Sequence, residues 1–207
     1  LIMLVKTFGA AVQGIHATTI TIEVNVSQGI RFMLVGLPDN AIKESHERIV
    51  SAIQFCGMKF PHQQVVINMA PADIRKEGAA YDLPLAIGIL AASGAVLNEE
   101  LSDYIIMGEL SLDGTLHPIK GILPIAIKAR EEGFKGLIIP KENAKEAAVV
   151  NNLDVYGANC LLEVINFFNK KGSIEKTVID TRKEFFEQLN NFEMDFSDVR
   201  GQENVKR

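Results

Sequence analysis

Isoleucine and valine recur at every second position in the first third of the chain. Over residues 20–26 they alternate with polar or charged residues, which is the pattern of a strand with one face in the core. Similar patterns predict strands over 5–12, 18–26 and 30–35. The Ser-Gln-Gly sequence at 27–29 is typical of a turn, so we expect the second and third strands to form a hairpin.

A helical period replaces the alternation after residue 39. Ile42, Ile49 and Ile53 share one helix face, with Asp39 or Asn40 as the N-cap and Gly57 as the stop. Further elements follow the same reasoning. They are strands at 65–67, 137–139 and around 155, an apolar core helix from 82, a hairpin over 105–119, and helices over 122–132, 143–150 and 161–168.

Antiparallel strands early in the chain and strand–helix alternation later predict a mixed sheet with packed helices, in the α/β (α+β) class. Charged residues become much denser after residue 169. We therefore expect a compact domain over 1–169 and a charged linker over 170–207, with a short helix at 181–190.

Composition narrows the class of protein. The 207 residues carry a net charge of −5 and are 47% hydrophobic, the balance of a globular chain. No apolar run approaches the roughly 18 residues of a membrane span. Two distant cysteines, Cys56 and Cys160, fit free thiols in a reducing compartment, so a cytoplasmic location is expected. The negative charge disfavours coating of nucleic acid by bulk charge but leaves room for a local basic patch.

Common cofactor motifs are missing from the sequence. It has neither G-x-x-x-x-G-K-[ST] nor G-x-G-x-x-G. The four histidines are not spaced with the cysteines as metal ligands. We therefore expect no cofactor or metal site within these 207 residues.

Several segments together resemble a known superfamily. They are 30–39 with 43–45, 67–71 with 76–78, and 108–114 with 118–119 and 139–143. Their order and spacing over roughly 5–169 resemble the Lon-protease proteolytic domain. Within that superfamily, the sequences at 35–39, 68–73, 82–86 and 195–203 resemble the N-terminal region of ComM/YifB-type proteins, the magnesium chelatase-like AAA+ ATPases.

The resemblance implies a ribosomal-protein-S5-domain-2-like fold and raises the question of a Ser-Lys catalytic dyad. At the two positions that we align with the dyad, this chain has Ala80 and Leu123, which offer neither a hydroxyl nor an amine. A Lon-type peptidase is therefore a disfavoured alternative. We expect Ala80 and Leu123 to approach each other through apolar packing, and Lys120 to face elsewhere.

The resemblance also implies a larger protein. Residues 195–203 look like the lead-in to an AAA+ module, with Val199, Gly201 and Gln202 near the adenine of ATP in the full-length protein. ATP and Mg²⁺ would bind that module, in a hexamer that drives DNA branch migration during natural transformation. This chain would then be a non-proteolytic accessory domain. The alternative of a metal-chelatase ATPase subunit finds no metal or porphyrin site in these residues.

The polar loop before residue 82 carries two neighbouring cations, Arg75 and Lys76. One interpretation is a contact with DNA phosphate or with a neighbouring subunit. The other, which we favour, is that both cations pair locally with Glu77 and Asp82, with Asp82 capping the next helix and holding Lys76.

Overall fold

The computed structural model describes residues 3–179. The strands are β1 Met3–Gln13, β2 His16–Ser27, β3 Phe32–Val35, β4 Gln64–Ala70, β5 Tyr104–Ile106, β6 Glu109–Leu110, β7 Leu116–His117, β8 Gly136–Pro140 and β9 Asp154–Ala158. The helices are α1 Asn40–Lys43, α2 Ser45–Phe55, α3 Asp82–Ala92, α4 Ile122–Glu131, α5 Lys141–Ala148 and α6 Leu161–Phe168.

Seven strands form one mixed sheet in the order β3-β4-β2-β1-β5-β8-β9. β2 lies between β1 and β4 and is antiparallel to both, whereas β3–β4, β1–β5, β5–β8 and β8–β9 are parallel pairs. The predicted α/β class with a mixed sheet and packed helices is thus confirmed. The seam between the antiparallel and the parallel parts is the β1–β5 pair.

The predicted hairpin of the second and third strands is wrong. β4 lies between β2 and β3 and pairs with both. The chain does reverse after Ser27, but the reversal carries β3 to the far edge of β4. The hairpin of this region is instead β1–β2, which turns through Gly14 with its positive φ of 62°.

The core lies mainly around α3. Every residue of this helix is buried, which confirms the central helix predicted from its apolar sequence. Pro84 falls in its first turn, where the ring disturbs no helical hydrogen bond. The Thr7 hydroxyl of β1 donates to the Pro84 carbonyl at 3.1 Å. Val12, on the opposite face of the same strand, contacts Gly121 just before α4, so helices cover both faces of the sheet.

Two predicted elements are shorter than expected. The helix expected over 40–56 is divided at Glu44 into α1 and α2, with Asp39 as its cap: the carboxylate accepts from the Ile42 N–H at 2.9 Å. In the hairpin expected over 105–119, only β6 and β7 pair, because β5 joins the main sheet.

The chain stays packed on this domain beyond residue 169. The Thr177 N–H donates to the Val155 carbonyl of β9 at 2.8 Å, and the compact unit ends at this residue. Residues 180–207, including the helix expected at 181–190, lie outside the described residues. No helix among those described has the length and apolarity needed to cross a membrane.

Candidate functional site

A cleft of about 580 Å³ opens at the seam of the sheet. One wall consists of residues 10–14, which are the end of β1 and the first residue of the turn after it. The others come from the loop before α3 and from the segment that begins α4. The lining from those parts, with one residue following β5, is Arg75, Glu77, Ala80, Tyr81, Met107, Lys120, Gly121 and Ile125.

The cleft contains Ala80 but not Leu123. Leu123 lies in the first turn of α4 with 39% of its surface exposed, and it does not line the cleft. Ile125 is 1% exposed and does line it. Leu123 and Ile125 are two residues apart on the helix, which is a rotation of about 200°, so their side chains point in nearly opposite directions. The structure thus places Ile125, and not Leu123, on the α4 side of the cleft that Ala80 lines, and the expected approach of Ala80 and Leu123 stays a prediction.

Lys120 also departs from expectation. We expected it to face away from Ala80, but it lines the same cleft. The next residue, Gly121, takes a left-handed conformation with φ of 74°, which favours glycine, and the chain turns there before α4 begins.

Lys76 is the least expected side chain in the loop, because it is fully buried. Its ammonium donates to the Gly36 carbonyl at 2.7 Å and also to the Pro71 carbonyl. Burial lowers the pKa of Lys76, while the charge of Asp73 opposes this shift. The expected pairing with Asp82 is wrong, since both hydrogen bonds go to backbone oxygens.

Asp82 is paired with Arg48 of α2 instead. The guanidinium donates to both carboxylate oxygens, at 2.7 and 3.0 Å, and to the Ala41 carbonyl at 3.0 Å. The Leu110 N–H donates to the same carboxylate at 3.2 Å. Burial raises the pKa of Asp82, and the hydrogen bonds and charge of Arg48 oppose the rise. This bidentate pair, with the bond from Leu110, joins α2, α3 and β6.

Sequence reasoning did not single out Arg48. The signal was its position: Ser45 and Ala52, three residues before it and four after it, share its helix face and are both fully buried. A charged residue on a buried helix face requires an opposite charge in the core. Asp82 is the partner that meets this requirement.

Asp39 links the same loop to α1. One carboxylate oxygen caps the helix, and the other accepts from the Gly78 N–H at 2.9 Å. The backbone of Lys76 bonds to the same segment. The Lys76 carbonyl accepts from the Asp39 N–H, and the Lys76 N–H donates to the Leu37 carbonyl. The loop that carries Ala80 is therefore held by side chains and backbone together.

Comparison with known proteins gives the family. The family model for subunit ChlI of Mg-chelatase matches residues 22–143, more than half of the chain. The chain belongs to this ChlI family. It is 37% identical over 201 residues to the competence protein ComM of Haemophilus influenzae, covering 97% of this chain and 39% of ComM. It is 37% identical over 198 residues to YifB of Escherichia coli, covering 95% and 38%.

The expected resemblance to ComM/YifB-type proteins is thus confirmed. The ChlI-family chain is also 31% identical over 113 residues to Lon protease 2 of Bacillus subtilis, covering 54% of this chain and 19% of that protease. The chain spans about two fifths of the length of ComM and YifB.

Of the two neighbouring cations of this ChlI-family domain, only Arg75 is exposed to solvent and to a partner. Arg75 is exposed and pairs with Glu77 at 3.1 Å, as the local interpretation expected. The Lys76 ammonium is hydrogen-bonded inside the protein. A contact with DNA or with a neighbouring subunit therefore stays a prediction, and Arg75 is the residue that could form it. Within residues 3–179 no three His, Cys, Asp or Glu side chains are grouped to hold a metal ion.

Proposed function

We propose that this ChlI-family chain is a non-proteolytic accessory domain of a larger AAA+ ATPase. The observation that carries the proposal is the cleft beside Ala80. The side chain that shares the cleft from α4 is that of Ile125, and neither side chain has a nucleophilic oxygen or a basic nitrogen. A lysine does line the cleft, but Lys120 has no serine at position 80 to activate.

The larger protein, in this proposal, acts on DNA in the cytoplasm. Support comes from the relative named competence protein, ComM, and from the length of ComM and YifB that this chain leaves unmatched. ATP and Mg²⁺ would bind the remaining AAA+ module, which would assemble as a hexamer. Val199, Gly201 and Gln202 would lie near the adenine, and Arg75 would meet DNA phosphate or a neighbouring subunit.

The test compares two forms of the longer protein, with and without residues 1–177. DNA-stimulated ATP hydrolysis and branch migration of a four-way junction are measured for both. An accessory role predicts that the shortened form retains ATP hydrolysis and loses coupling to DNA. Equal branch migration by both forms would contradict the proposal.

Arg75 has its own test in that protein. Arg75→Glu is compared with Arg130→Glu, an exposed position on α4 outside the cleft. We expect weaker DNA-coupled activity, by about fivefold, for Arg75→Glu only, since a rim charge contributes about 1 kcal/mol. Equal effects of the two changes would remove Arg75 from the interface.

A metal-chelatase ATPase subunit is the second candidate, because the matching family model is that of a Mg-chelatase subunit. Its test is insertion of Mg²⁺ into a porphyrin by the longer protein with candidate partner subunits. A Lon-type peptidase, suggested by the similarity to Lon protease 2, is tested by hydrolysis of a fluorogenic peptide. We expect neither reaction.

A further inference from the structure

A second cavity, of about 210 Å³, opens at the edge of the main sheet where β3 and β4 begin. These strands are parallel neighbours, so the segments that lead into them lie side by side. Those two segments and the first turn of α2 line the cavity, called here the edge pocket, which is separate from the cleft at the seam. The lining residues that carry side-chain chemistry are Arg31, Phe32, His46, Phe60, His62 and Gln63.

Three aromatic rings that line the edge pocket form one cluster. The centroid of the His46 ring lies 4.4 Å from that of Phe32 and 5.5 Å from that of Phe60. All three residues are only half-buried, so part of the ring surface is open to solvent. A nucleic-acid base stacks on exposed rings of this kind, and it does so in any sequence because every base has a π-face.

The edge pocket has the size and the fixed walls that one flat ring needs. Sites for drug-sized molecules usually have volumes of about 300–1,000 Å³, and this cavity is smaller. The Val65 N–H donates to the Arg31 carbonyl at 2.8 Å, which joins the two bordering segments. Phe60 precedes Pro61, which restricts its backbone to extended conformations. The amide of Gln63 offers a donor and an acceptor, the groups that bond to the edges of bases.

The charges at the edge pocket favour an anionic ligand. Arg31 lines it, and its guanidinium forms no ion pair within residues 3–179. His62 lines it too, and Lys59 is exposed in the segment before β4. The carboxylate of Glu47 contacts Nδ1 of His46 at 3.1 Å but is 85% exposed and lies outside the lining. In a chain of net charge −5, this locally basic surface is suited to a phosphate.

We propose that the edge pocket binds an unpaired base of single-stranded DNA, stacked on the ring cluster, with a neighbouring phosphate at Arg31. The inference rests on the proposed action of the longer protein on DNA, and it names the form of DNA that this domain holds. A strand is favoured over a free nucleotide because cations stand on both bordering segments: Arg31 before β3, and Lys59 and His62 before β4. Such an arrangement can contact successive phosphates of one strand.

The test measures the fluorescence anisotropy of fluorescein-labelled oligo(dT) of about twelve nucleotides, titrated with the 207-residue chain at about 50 mM salt. Phe60→Leu removes the ring and keeps an apolar side chain, whereas Phe60→Tyr keeps a ring at the same position. Arg31→Glu reverses the charge at the pocket. Arg130→Glu, at an exposed position on α4, is the matched charge control. Circular dichroism confirms that each variant is folded.

We expect saturable binding that is weakened at least about fivefold by Phe60→Leu and by Arg31→Glu, and little changed by Phe60→Tyr and by Arg130→Glu. A strand of the same length with abasic sites should bind much more weakly, because it keeps the phosphates and removes the stacking. The duplex with oligo(dA) should bind at least about tenfold more weakly, because its bases are already paired and stacked on one another.

Absence of saturation up to about 0.5 mM protein would overturn the proposal. Equal affinity for the abasic strand would also overturn it, even where Phe60→Leu fails to fold, because charge alone would then explain the binding. Displacement of oligo(dT) by an equal concentration of dTMP would assign the pocket to a free nucleotide. Displacement by an acidic peptide that contains phenylalanine would assign it to a protein partner. Either displacement contradicts binding of a strand.

Failure of this proposal can be told apart from failure of the proposed function. If this chain binds no oligo(dT) and the longer protein still needs residues 1–177 for DNA-coupled activity, the accessory role stands and the edge pocket has no part in it. If the chain binds oligo(dT) and the longer protein works equally well without residues 1–177, the pocket stands and the accessory role fails.

Discussion

At the scale of single residues, buried charge holds the loop that forms one wall of the cleft. Lys76 and Asp82 are both fully buried and lie at the two ends of a segment whose sequence looks solvated. Each finds its partners far away in the chain, in the Gly36 carbonyl and in Arg48. A desolvated charge is stable only when paired, so these contacts bind the loop to the fold.

Replacing Lys76 with methionine keeps much of the volume and removes the donor. The carbonyls of Gly36 and Pro71 would then be left without their partner. We expect a loss of about 2–4 kcal/mol in the free energy of unfolding, measured by urea denaturation. The neighbouring change Arg75→Met removes an exposed ion pair and should cost less than about 0.5 kcal/mol. Similar losses for the two variants would contradict the bracing role of Lys76.

Removing Arg48 should make stability depend on pH in a defined direction. Burial raises the pKa of Asp82 and Arg48 opposes the rise, so Arg48→Met raises that pKa further. A carboxyl whose pKa is higher in the folded state gives stability that is present below its unfolded pKa and lost as the pH rises through its folded pKa. Arg48→Met should therefore lose about 3–5 kcal/mol near neutral pH.

The loss should be smaller near pH 4, where Asp82 is protonated more readily in the variant (about 3.9 is the ordinary pKa). Urea unfolding at the two pH values measures both. Arg48→Met combined with Asp82→Leu is the control. This double variant has no buried carboxyl at position 82, so its loss of stability should be the same at the two pH values. A deficit that grows on acidification would contradict the argument.

At the scale of elements, the bend between β3 and α1 depends on a backbone that few residues can adopt. Gly36 has φ of 101°, and a β-carbon there would overlap the Met69 carbonyl oxygen of β4. Leu37 follows with φ of 56°, a left-handed conformation that is uncommon for leucine. The Lys76 ammonium bonds to the carbonyl between these two residues and keeps the bend in place.

Gly36→Ala should therefore destabilise the domain more than a positive φ alone explains. Gly133 is the matched position, because its φ is 78° and nothing lies near a β-carbon placed on it. We expect a loss of about 1 kcal/mol for Gly133→Ala and of more than about 3 kcal/mol for Gly36→Ala, from thermal unfolding. Equal losses would show that the contact with Met69 is relieved by small movements of the backbone.

Strands and helices with a clear hydrophobic period could be predicted from the sequence. Which elements lie next to each other in the fold could not. The alternation over 20–26 identified β2, and the all-apolar sequence after 82 identified α3. The choice of β4 as the neighbour of β2 depends on residues 64–70, and no local pattern at 27–29 contains that information.

The candidate site was predictable to the same degree. The sequence placed Ala80 at the position aligned with the dyad serine, because this alignment needs only a count of residues after Lys76-Glu77-Gly78. We expected Leu123 on the α4 side of this site, and the structure has Ile125 lining the cleft, because a displacement of two residues on α4 nearly reverses the direction of a side chain. The burial of Lys76 could not be predicted from the sequence, because it depends on the Gly36 carbonyl, which lies 40 residues away in the chain.

At the scale of the whole molecule, the two parts of the sheet meet through one pair of residues between β1 and β5, and the cleft opens where they separate. α3 packs against β1 and β2, and the Arg48–Asp82 pair ties α3 to α2. The opening is thus built on rigid elements on several sides. A ligand placed there would contact both parts of the sheet.

The domain should reach this fold without nucleotide or metal. Its core is closed by the described elements themselves: α3 is buried all round, and the central strands β2 and β8 have fully buried side chains toward it or toward α4 and α5. We expect the 207-residue chain to unfold in one cooperative thermal transition, with a midpoint that shifts by less than about 1 °C on addition of EDTA, Mg²⁺ or Mg-ATP. A ligand that binds only the native state stabilises it by RT ln(1 + [L]/Kd), so a high ligand concentration makes the midpoint sensitive even to weak sites. A rise of several degrees with Mg-ATP would reveal a nucleotide site in the chain, and a transition that exists only with Mg²⁺ would make the metal part of the fold.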